Sequence, residues 1–311
     1  MSAGTPIALL SGTANLGYFA PLLEAALPGA QVSIWPDPAC LQAEVAVCWN
    51  TPPGLYAQMP NLKLVHSIAA GVDNVVAGQD LRGLPVCRVV DPDLAQGMVE
   101  YVSWAVLYFH RNLDRAVAQQ RDHVWKRPPL KRAADFRVGV MGLGELGRTV
   151  ATALRGFGYP VSGWARSPRR LPGITTFAGP ETFTDFLGRS DVLVNLLPLT
   201  DATRGILGKP VFDALPPGAA IVGCGRGEHL VEADLASALA SGQLRGAVLD
   251  VFAQEPLPAD HPLWSMPGVV VTPHMATMAA PAVIVQQVAD NIRRLQSSQP
   301  LRNAVDTARG Y

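Results

Sequence analysis

Three ionisable side chains in the second half of the chain have the types needed to reduce an oxo acid. Arg226, Glu255 and His274 each come shortly after a short apolar run of strand type. Because the carboxyl ends of parallel strands share one edge of a sheet, we expect these side chains to converge. Arginine offers a fork of donors to a carboxylate, histidine can give a proton to a carbonyl oxygen, and a neighbouring glutamate favours the imidazolium. Beside a nicotinamide, this set predicts hydride transfer.

A glycine turn indicates where such a cofactor would bind. An apolar run at 138–141 leads into Gly142, Gly144 and Gly147, with a helical stretch after them and a second apolar run at 161–164. In a strand–turn–helix–strand unit, this G-x-G-x-x-G pattern permits the tight turn, close approach of the backbone to a pyrophosphate, and close helix packing. The alternative is an ordinary glycine-rich turn without a ligand.

The end of the second run predicts which dinucleotide binds. An acidic residue about 20 positions after the glycines would hold the ribose hydroxyl of NAD. That place holds Arg166 and Ser167, followed by Arg169 and Arg170, and no carboxylate occurs between 149 and 180. Arginine binds phosphate in bidentate fashion, so the sequence predicts NADP(H), with NAD(H) possible. The alternative is a solvated basic loop.

Length and composition limit the class of protein. A chain of 311 residues suits two domains, and its formal net charge of zero gives no reason to expect nucleic-acid or membrane partners. The four cysteines form neither a C-x-x-C pair nor a zinc-like cluster, so we expect reduced thiols, no metal and a cytoplasmic protein. The N-terminal stretch is typical of a first strand and lacks the features of a signal peptide.

Apolar runs alternate with helical stretches along both halves of the chain. This alternation predicts an α/β protein with parallel sheets. In the first half, strands are predicted at 7–10, 32–35, 45–49, 62–68 and 86–90, with a helix at 18–26. In the second half, further strands are predicted at 191–197, 219–222, 247–251 and 269–272, with helices at 231–240 and 282–295.

Three other stretches are of interest. Small residues at 67–73 follow a predicted strand, where backbone N–H groups can face an anion, although a plain turn is the alternative. Trp49 also ends a strand and could line a pocket or belong to the core. The helix at 98–112 is apolar nearly all round, which predicts burial between domains or subunits, and 121–135 forms a polar connector. Apart from His274, the histidines are interpreted as core or polar-loop residues, His229 among the latter.

Taken together, the motifs resemble the D-isomer-specific 2-hydroxyacid dehydrogenase family. In order and spacing they read GLGELG, LPLTDATRGIL, VGCGRGEHLVEADL, LDVFAQEPLP and TPHMA. The length and the Arg166-Ser167 pair are most similar to the NADPH-dependent glyoxylate/hydroxypyruvate reductase A branch. The likeness extends over essentially the full chain.

The resemblance implies a role for each matching residue. Arg226, Glu255 and His274 match the catalytic groups, with Arg226 and His274 also binding the substrate. The substrate carboxylate is expected at Ala70 and Gly71, with Trp49 in the pocket. The cofactor contacts implied by the glycine turn, the basic loop and the later strand ends are Gly142, Gly144, Glu145, Leu146, Gly147, Arg166, Ser167, Arg169, Pro198, Gly223, Cys224 and Asp250.

The resemblance further implies the architecture and the reaction. Two doubly wound parallel-sheet domains are expected, a flavodoxin-like substrate domain at 1–100 and 285–311 and a Rossmann-type domain at 101–284, with an active-site cleft between them and a homodimer as the assembly. The implied reaction is NADPH-dependent reduction of glyoxylate and hydroxypyruvate. The alternatives are an NAD-dependent D-lactate-like dehydrogenase for larger oxo acids and a dinucleotide-sensing corepressor. The run Gly223-Cys224-Gly225 departs from the family's Asn- and Ala-containing sequence and is expected to loosen the loop that seats the nicotinamide.

Overall fold

A computed structural model describes residues 4–306, which form two compact units. One unit combines the chain up to Pro92 with the segment from Met278 onward, and the other runs from Asp93 to Thr277. The boundaries predicted from the sequence, after residues 100 and 284, lie slightly later along the chain. The assignment of the substrate to the first unit and of the dinucleotide to the second stays a prediction.

The first unit contains a parallel sheet of five strands. Its strands are β1 (Pro6–Leu10), β2 (Gln31–Ile34), β3 (Val45–Cys48), β4 (Leu64–Ser67) and β5 (Val86–Cys87), and its helices are α1 (Ala20–Ala26), α2 (Asp73–Val76) and α9 (Pro281–Gln296). The strand order β2-β1-β3-β4-β5 is that of flavodoxin-like folds, which confirms the predicted type of sheet. All residues of β3 and β4 are buried, as expected for strands covered on both faces.

The late helix α9 completes this first unit. Its buried face includes Ile284, Val288 and Ile292, spaced to lie along one side of the helix. Gln296 Nε2 donates to Thr5 Oγ1 at 2.6 Å, so the end of α9 is tied to the beginning of the described chain. The segment after α9 also joins this unit, because the Val305 N–H donates to the Val86 carbonyl at 2.8 Å.

The second unit contains a parallel sheet of seven strands. These are β6 (Val138–Met141), β7 (Val161–Ala165), β8 (Thr175–Ala178), β9 (Val192–Asn195), β10 (Ala219–Gly223), β11 (Leu244–Leu249) and β12 (Val269–Val271). The helices are α3 (Pro92–His110), α4 (Leu113–Arg121), α5 (Glu145–Gly156), α6 (Phe183–Leu187), α7 (Lys209–Ala214) and α8 (Glu232–Ala240). The order β8-β7-β6-β9-β10-β11-β12 is the Rossmann order with one strand added, which confirms the predicted fold.

Two features differ from the sequence-based expectation. The edge strand β8 was not predicted, because its sequence TTFA is short and only half apolar. The helix α3 begins at Pro92 and is not buried all round, since Trp104 keeps 41% of its surface exposed.

Within residues 4–306, no helix combines the length and apolar character needed to cross a bilayer.

Candidate active site

The turn between β6 and α5 has the shape that the glycine pattern predicts. Gly142 has φ +93°, and a Cβ there would lie 2.7 Å from the carbonyl oxygen of Leu196. A Cβ on Gly147 would lie only 1.7 Å from the carbonyl oxygen of Gly142, so only glycine allows the helix to approach the turn. A Cβ on Gly144, in contrast, would meet nothing within 4 Å. The space above this residue, at the N-terminus of a helix, fits the pyrophosphate of a dinucleotide.

The first turn of α5 holds two more of the predicted cofactor residues. Glu145 is exposed and pairs with Arg148 at 2.5 Å on the same helix. Leu146 is half-buried and packs against the core of this unit. Both residues directly follow Gly144 at the start of α5, and their contacts with a cofactor stay a prediction.

The predicted basic loop lies next to the glycine turn. The Gly142 N–H donates to the Trp164 carbonyl at 2.9 Å, which fixes the end of β7 beside the turn. Arg166, Ser167 and Arg169 follow directly, and all three residues are exposed. Cationic and hydroxyl groups at this place fit the 2′-phosphate of NADP and offer no carboxylate for the ribose hydroxyl of NAD.

The next two strands bring Pro198 and the Gly223-Cys224-Gly225 segment to the same sheet edge. The Cys224 N–H donates to the Asn195 carbonyl at 3.2 Å. The thiol of Cys224 is buried, and this burial, with a smaller effect from the negative charge of Asp250, raises its pKa well above the ordinary value. A Cβ on Gly225 would lie 2.8 Å from Nδ1 of His229. The extra glycine is thus required by close packing, although its expected loosening of the loop stays untested.

Asp250 follows β11 and holds the segment around His274. Its buried carboxylate accepts hydrogen bonds from the Thr272 hydroxyl at 2.6 Å and from the Met275 and Ala276 N–H groups at 2.9 Å. Its main-chain carbonyl also accepts the His274 N–H at 2.9 Å. These contacts keep His274 in a left-handed conformation with φ +51°. The predicted contact of Asp250 with a nicotinamide stays a prediction.

The three predicted catalytic residues lie at the carboxyl ends of β10, β11 and β12. His274 Nδ1 and Glu255 Oε2 are 2.7 Å apart, and Glu255 Oε1 accepts the Phe252 N–H at 2.9 Å. Burial alone would raise the pKa of Glu255, but these two hydrogen bonds, with the charges of His274 and Arg226, lower it overall. Glu255 is therefore a carboxylate at neutral pH, and it orients the ring so that Nε2 lies on the opposite edge.

Arg226 directly precedes a short helical turn, Gly227–His229, and is fixed there by a main-chain and a side-chain hydrogen bond. Its N–H donates to Nδ1 of His229 at 3.1 Å, and its Nη1 donates to the Gly225 carbonyl at 2.8 Å. His229 is completely buried, so its interpretation as a polar-loop residue was wrong. Its position three residues after Arg226 places it near the candidate site, but nothing in the local sequence indicates that the ring is buried.

The remaining predicted residues lie in the first unit, at the ends of neighbouring strands. Trp49 follows β3, and its main-chain N–H donates to the Leu10 carbonyl at 3.0 Å. Ala70 and Gly71 follow β4, and Ser67 braces their loop by donating its hydroxyl to the Gly71 carbonyl at 2.8 Å. The structure thus groups these three residues at one sheet edge of the first unit and the catalytic residues at one sheet edge of the second.

Comparisons with known proteins agree with this geometry. Residues 103–276 match the sequence profile of "D-isomer specific 2-hydroxyacid dehydrogenase, NAD binding domain". A glyoxylate/hydroxypyruvate reductase A of Salmonella heidelberg (strain SL476) is 38% identical over 305 residues, covering 96% of this chain and 97% of the relative.

Two solved structures are also similar over nearly the whole chain. A D-isomer specific 2-hydroxyacid dehydrogenase family protein from Klebsiella pneumoniae 342 is 46% identical with a TM-score of 0.92, covering 99% of each chain. An NADPH-dependent glyoxylate/hydroxypyruvate reductase from Sinorhizobium meliloti, solved with NADP and sulfate, is 36% identical with a TM-score of 0.88, covering 99% of this chain and 100% of that one.

Proposed function

The chain belongs to the D-isomer specific 2-hydroxyacid dehydrogenase family, and we propose that it reduces glyoxylate and hydroxypyruvate to 2-hydroxy acids with NADPH. The resemblance predicted from its motifs, including the reductase A branch, is thereby confirmed. The observation that carries the proposed activity is the hydrogen-bonded pair of Glu255 and His274 beside Arg226, on the sheet edge that also holds the glycine turn.

Each residue of this group has a distinct task in the proposed reaction. The Arg226 guanidinium and the amides of Ala70 and Gly71 hold the substrate carboxylate and stabilise the negative charge that develops on the carbonyl oxygen. His274, as imidazolium, donates its proton from Nε2 to that oxygen. The Glu255 carboxylate stabilises the imidazolium and fixes the ring. The cofactor, when bound, supplies the hydride that reduces the carbonyl carbon.

The role of His274 is tested by His274→Ala. Without the acid, kcat for glyoxylate should fall by about 10²-fold or more, while NADPH still binds. His123→Ala is a matched control, because His123 is an exposed histidine that also has a left-handed backbone, with φ +54° against +51° for His274. An unchanged kcat in His274→Ala would mean that another group is the acid, and absence of turnover in the wild type would favour a dinucleotide-sensing protein.

The cofactor is proposed to be NADP(H), held by the glycine turn and by Arg166, Ser167 and Arg169. The S. meliloti reductase, solved with NADP, supports this choice. Initial rates with NADPH and NADH compare the two cofactors directly, and Arg166→Ala should weaken NADPH use by about tenfold while leaving NADH use nearly unchanged. Equal use of both cofactors by the wild type would instead favour the NAD-dependent alternative.

The remaining expectations complete the proposal. The protein is proposed to be a cytoplasmic homodimer without nucleic-acid or membrane partners. Exposed aromatic side chains in the region of α3 and the 121–135 connector, Trp104 and Trp125, support a dimer interface there. Sedimentation equilibrium gives the mass in solution, and a monomer at micromolar concentration would exclude the dimer.

A further inference from the structure

His229 connects the two loops that carry the proposed substrate and cofactor contacts. Its ring is completely buried, beside the ends of β9 and β10. Nδ1 lies 3.1 Å from the main-chain nitrogen of Arg226 and 2.9 Å from Nδ2 of Asn195, and Nε2 lies 3.3 Å from the carbonyl oxygen of Pro198. One imidazole therefore contacts the arginine loop on one side and the Pro198 loop on the other.

The partners of the ring determine where its proton lies. A main-chain N–H can only donate, so Nδ1 of His229 must accept the hydrogen bond from Arg226. The amide of Asn195 has its oxygen engaged by the Leu197 N–H at 3.2 Å, which leaves its nitrogen to donate to the same Nδ1. The proton then resides on Nε2, which donates to the Pro198 carbonyl. His229 is thus uncharged and has a single tautomer.

The surroundings leave the ring little freedom to move. A Cβ on Gly225 would lie 2.8 Å from Nδ1 and 2.9 Å from Cε1 of His229, so the glycine before Arg226 packs directly against the imidazole. The main-chain carbonyl of His229 accepts the Leu207 N–H at 2.8 Å, which fixes the other end of the residue. The ring is a rigid spacer between the two loops.

We propose that His229 is a positioning residue that sets the Arg226 main chain through Nδ1 and the Pro198 loop through Nε2. This inference rests on the proposed function, because it assigns Arg226 to the oxo acid and Pro198 to the cofactor. It predicts that the two nitrogen atoms of the ring affect the binding of different ligands, Nδ1 that of the oxo acid and Nε2 that of NADPH. Removing the acceptor weakens oxo-acid binding, and removing the donor weakens NADPH binding.

Two substitutions separate the nitrogen atoms. In His229→Asn, the amide oxygen takes the place of Nδ1 and the donor to Pro198 is lost. In His229→Gln, the amide nitrogen takes the place of Nε2 and the acceptor for Arg226 is lost. We expect the Gln variant to raise KM for glyoxylate by about tenfold with an unchanged Kd for NADPH, and the Asn variant to raise that Kd by about threefold with a nearly unchanged KM.

A second buried histidine provides the control. His110 lies in the same unit and has partners on both nitrogen atoms, the Tyr159 hydroxyl at 3.0 Å and the Lys131 carbonyl at 2.9 Å. His110→Gln should lower the melting temperature without changing KM or Kd. If both His229 variants change KM and Kd by the same factor, in step with their melting temperatures, His229 is only structural and the inference is wrong.

The tautomer gives a test that needs neither turnover nor a variant. With ¹⁵N-labelled histidine in the wild-type protein, the buried His229 signal should show a protonated Nε2 and an unprotonated Nδ1. A proton on Nδ1 would overturn the inference even if the variants fail to fold. If the wild type does not reduce glyoxylate, the proposed function fails by itself, whereas the tautomer and the Kd for NADPH still test the placement of His229.

Discussion

Gly144→Ala tests whether the turn after β6 is the pyrophosphate site. A Cβ at this position would meet no protein atom within 4 Å, so the folded protein accommodates it. Replacing glycine by alanine restricts the unfolded chain, which stabilises the protein by about 0.4–1 kcal/mol, while alanine is a poorer N-cap residue for α5 by a similar amount. The melting temperature should therefore stay within about 4 °C of the wild type.

Cofactor binding should respond very differently to the same methyl group. If the pyrophosphate lies against the Gly144 main chain, the added methyl group overpacks that contact by about 1–3 kcal/mol. The Kd for NADPH, measured by titrating the change in NADPH fluorescence, should then rise by about tenfold or more.

Gly147→Ala provides the opposite case. Its Cβ would lie 1.7 Å from the Gly142 carbonyl oxygen, about 1.3 Å inside the 3.0 Å at which real contacts begin. The variant should therefore lose about 3 kcal/mol or more of folding free energy, and its melting temperature should fall by about 6 °C or more.

If Gly144→Ala binds NADPH as tightly as the wild type, the pyrophosphate does not lie over this turn.

Three further substitutions test the electrostatics of the second unit. Glu255→Gln should lower kcat by about tenfold or more. Because the pKa of Glu255 is lowered from 4.5, the stability that its carboxylate contributes is complete above that value and is lost as the pH falls through the lowered pKa. In urea unfolding, the difference in stability between wild type and variant should therefore be largest at about pH 7 and should shrink as the pH is lowered below 4.5. Asp250→Asn places an amide donor against the N–H of Met275 or Ala276, so we expect a loss of about 1–3 kcal/mol in urea unfolding together with a lower kcat, and unchanged kcat would separate Asp250 from the active site. Arg245→Ala leaves the mostly buried Asp114 unpaired and should cost about 3 kcal/mol by the same measurement with KM unchanged.

Much of the fold was predictable because the buried parallel strands are nearly continuous apolar runs. The strand predicted at 45–49 is β3, Val45–Cys48, and the helix predicted at 282–295 is α9, Pro281–Gln296. Errors arose where the apolar pattern was weak. The edge strand β8 has no fully buried residue, and the exposed face of α3 carries an aromatic side chain that composition alone places inside.

The candidate site was predictable where chemistry depends on residue type and on the position of a strand end. Arg226, Glu255 and His274 meet at one sheet edge because β10, β11 and β12 are neighbours in a parallel sheet. The location of His229 could not be predicted in this way, because its burial depends on Asn195 and Pro198, which are about 30 residues away in sequence. A histidine in a glycine-containing turn has no local signature of such burial.

The return of α9 to the first unit has a consequence for how the chain folds during synthesis. The second unit, Asp93–Thr277, is one continuous segment and can fold as soon as it has left the ribosome. The first unit contains the earliest strands, but its sheet stays incompletely covered until Ile284, Val288 and Ile292 have been made. Translation of the first unit therefore begins before that of the second unit and ends after it, so the sheet of the first unit must be kept from pairing with other chains while the second unit is already folded.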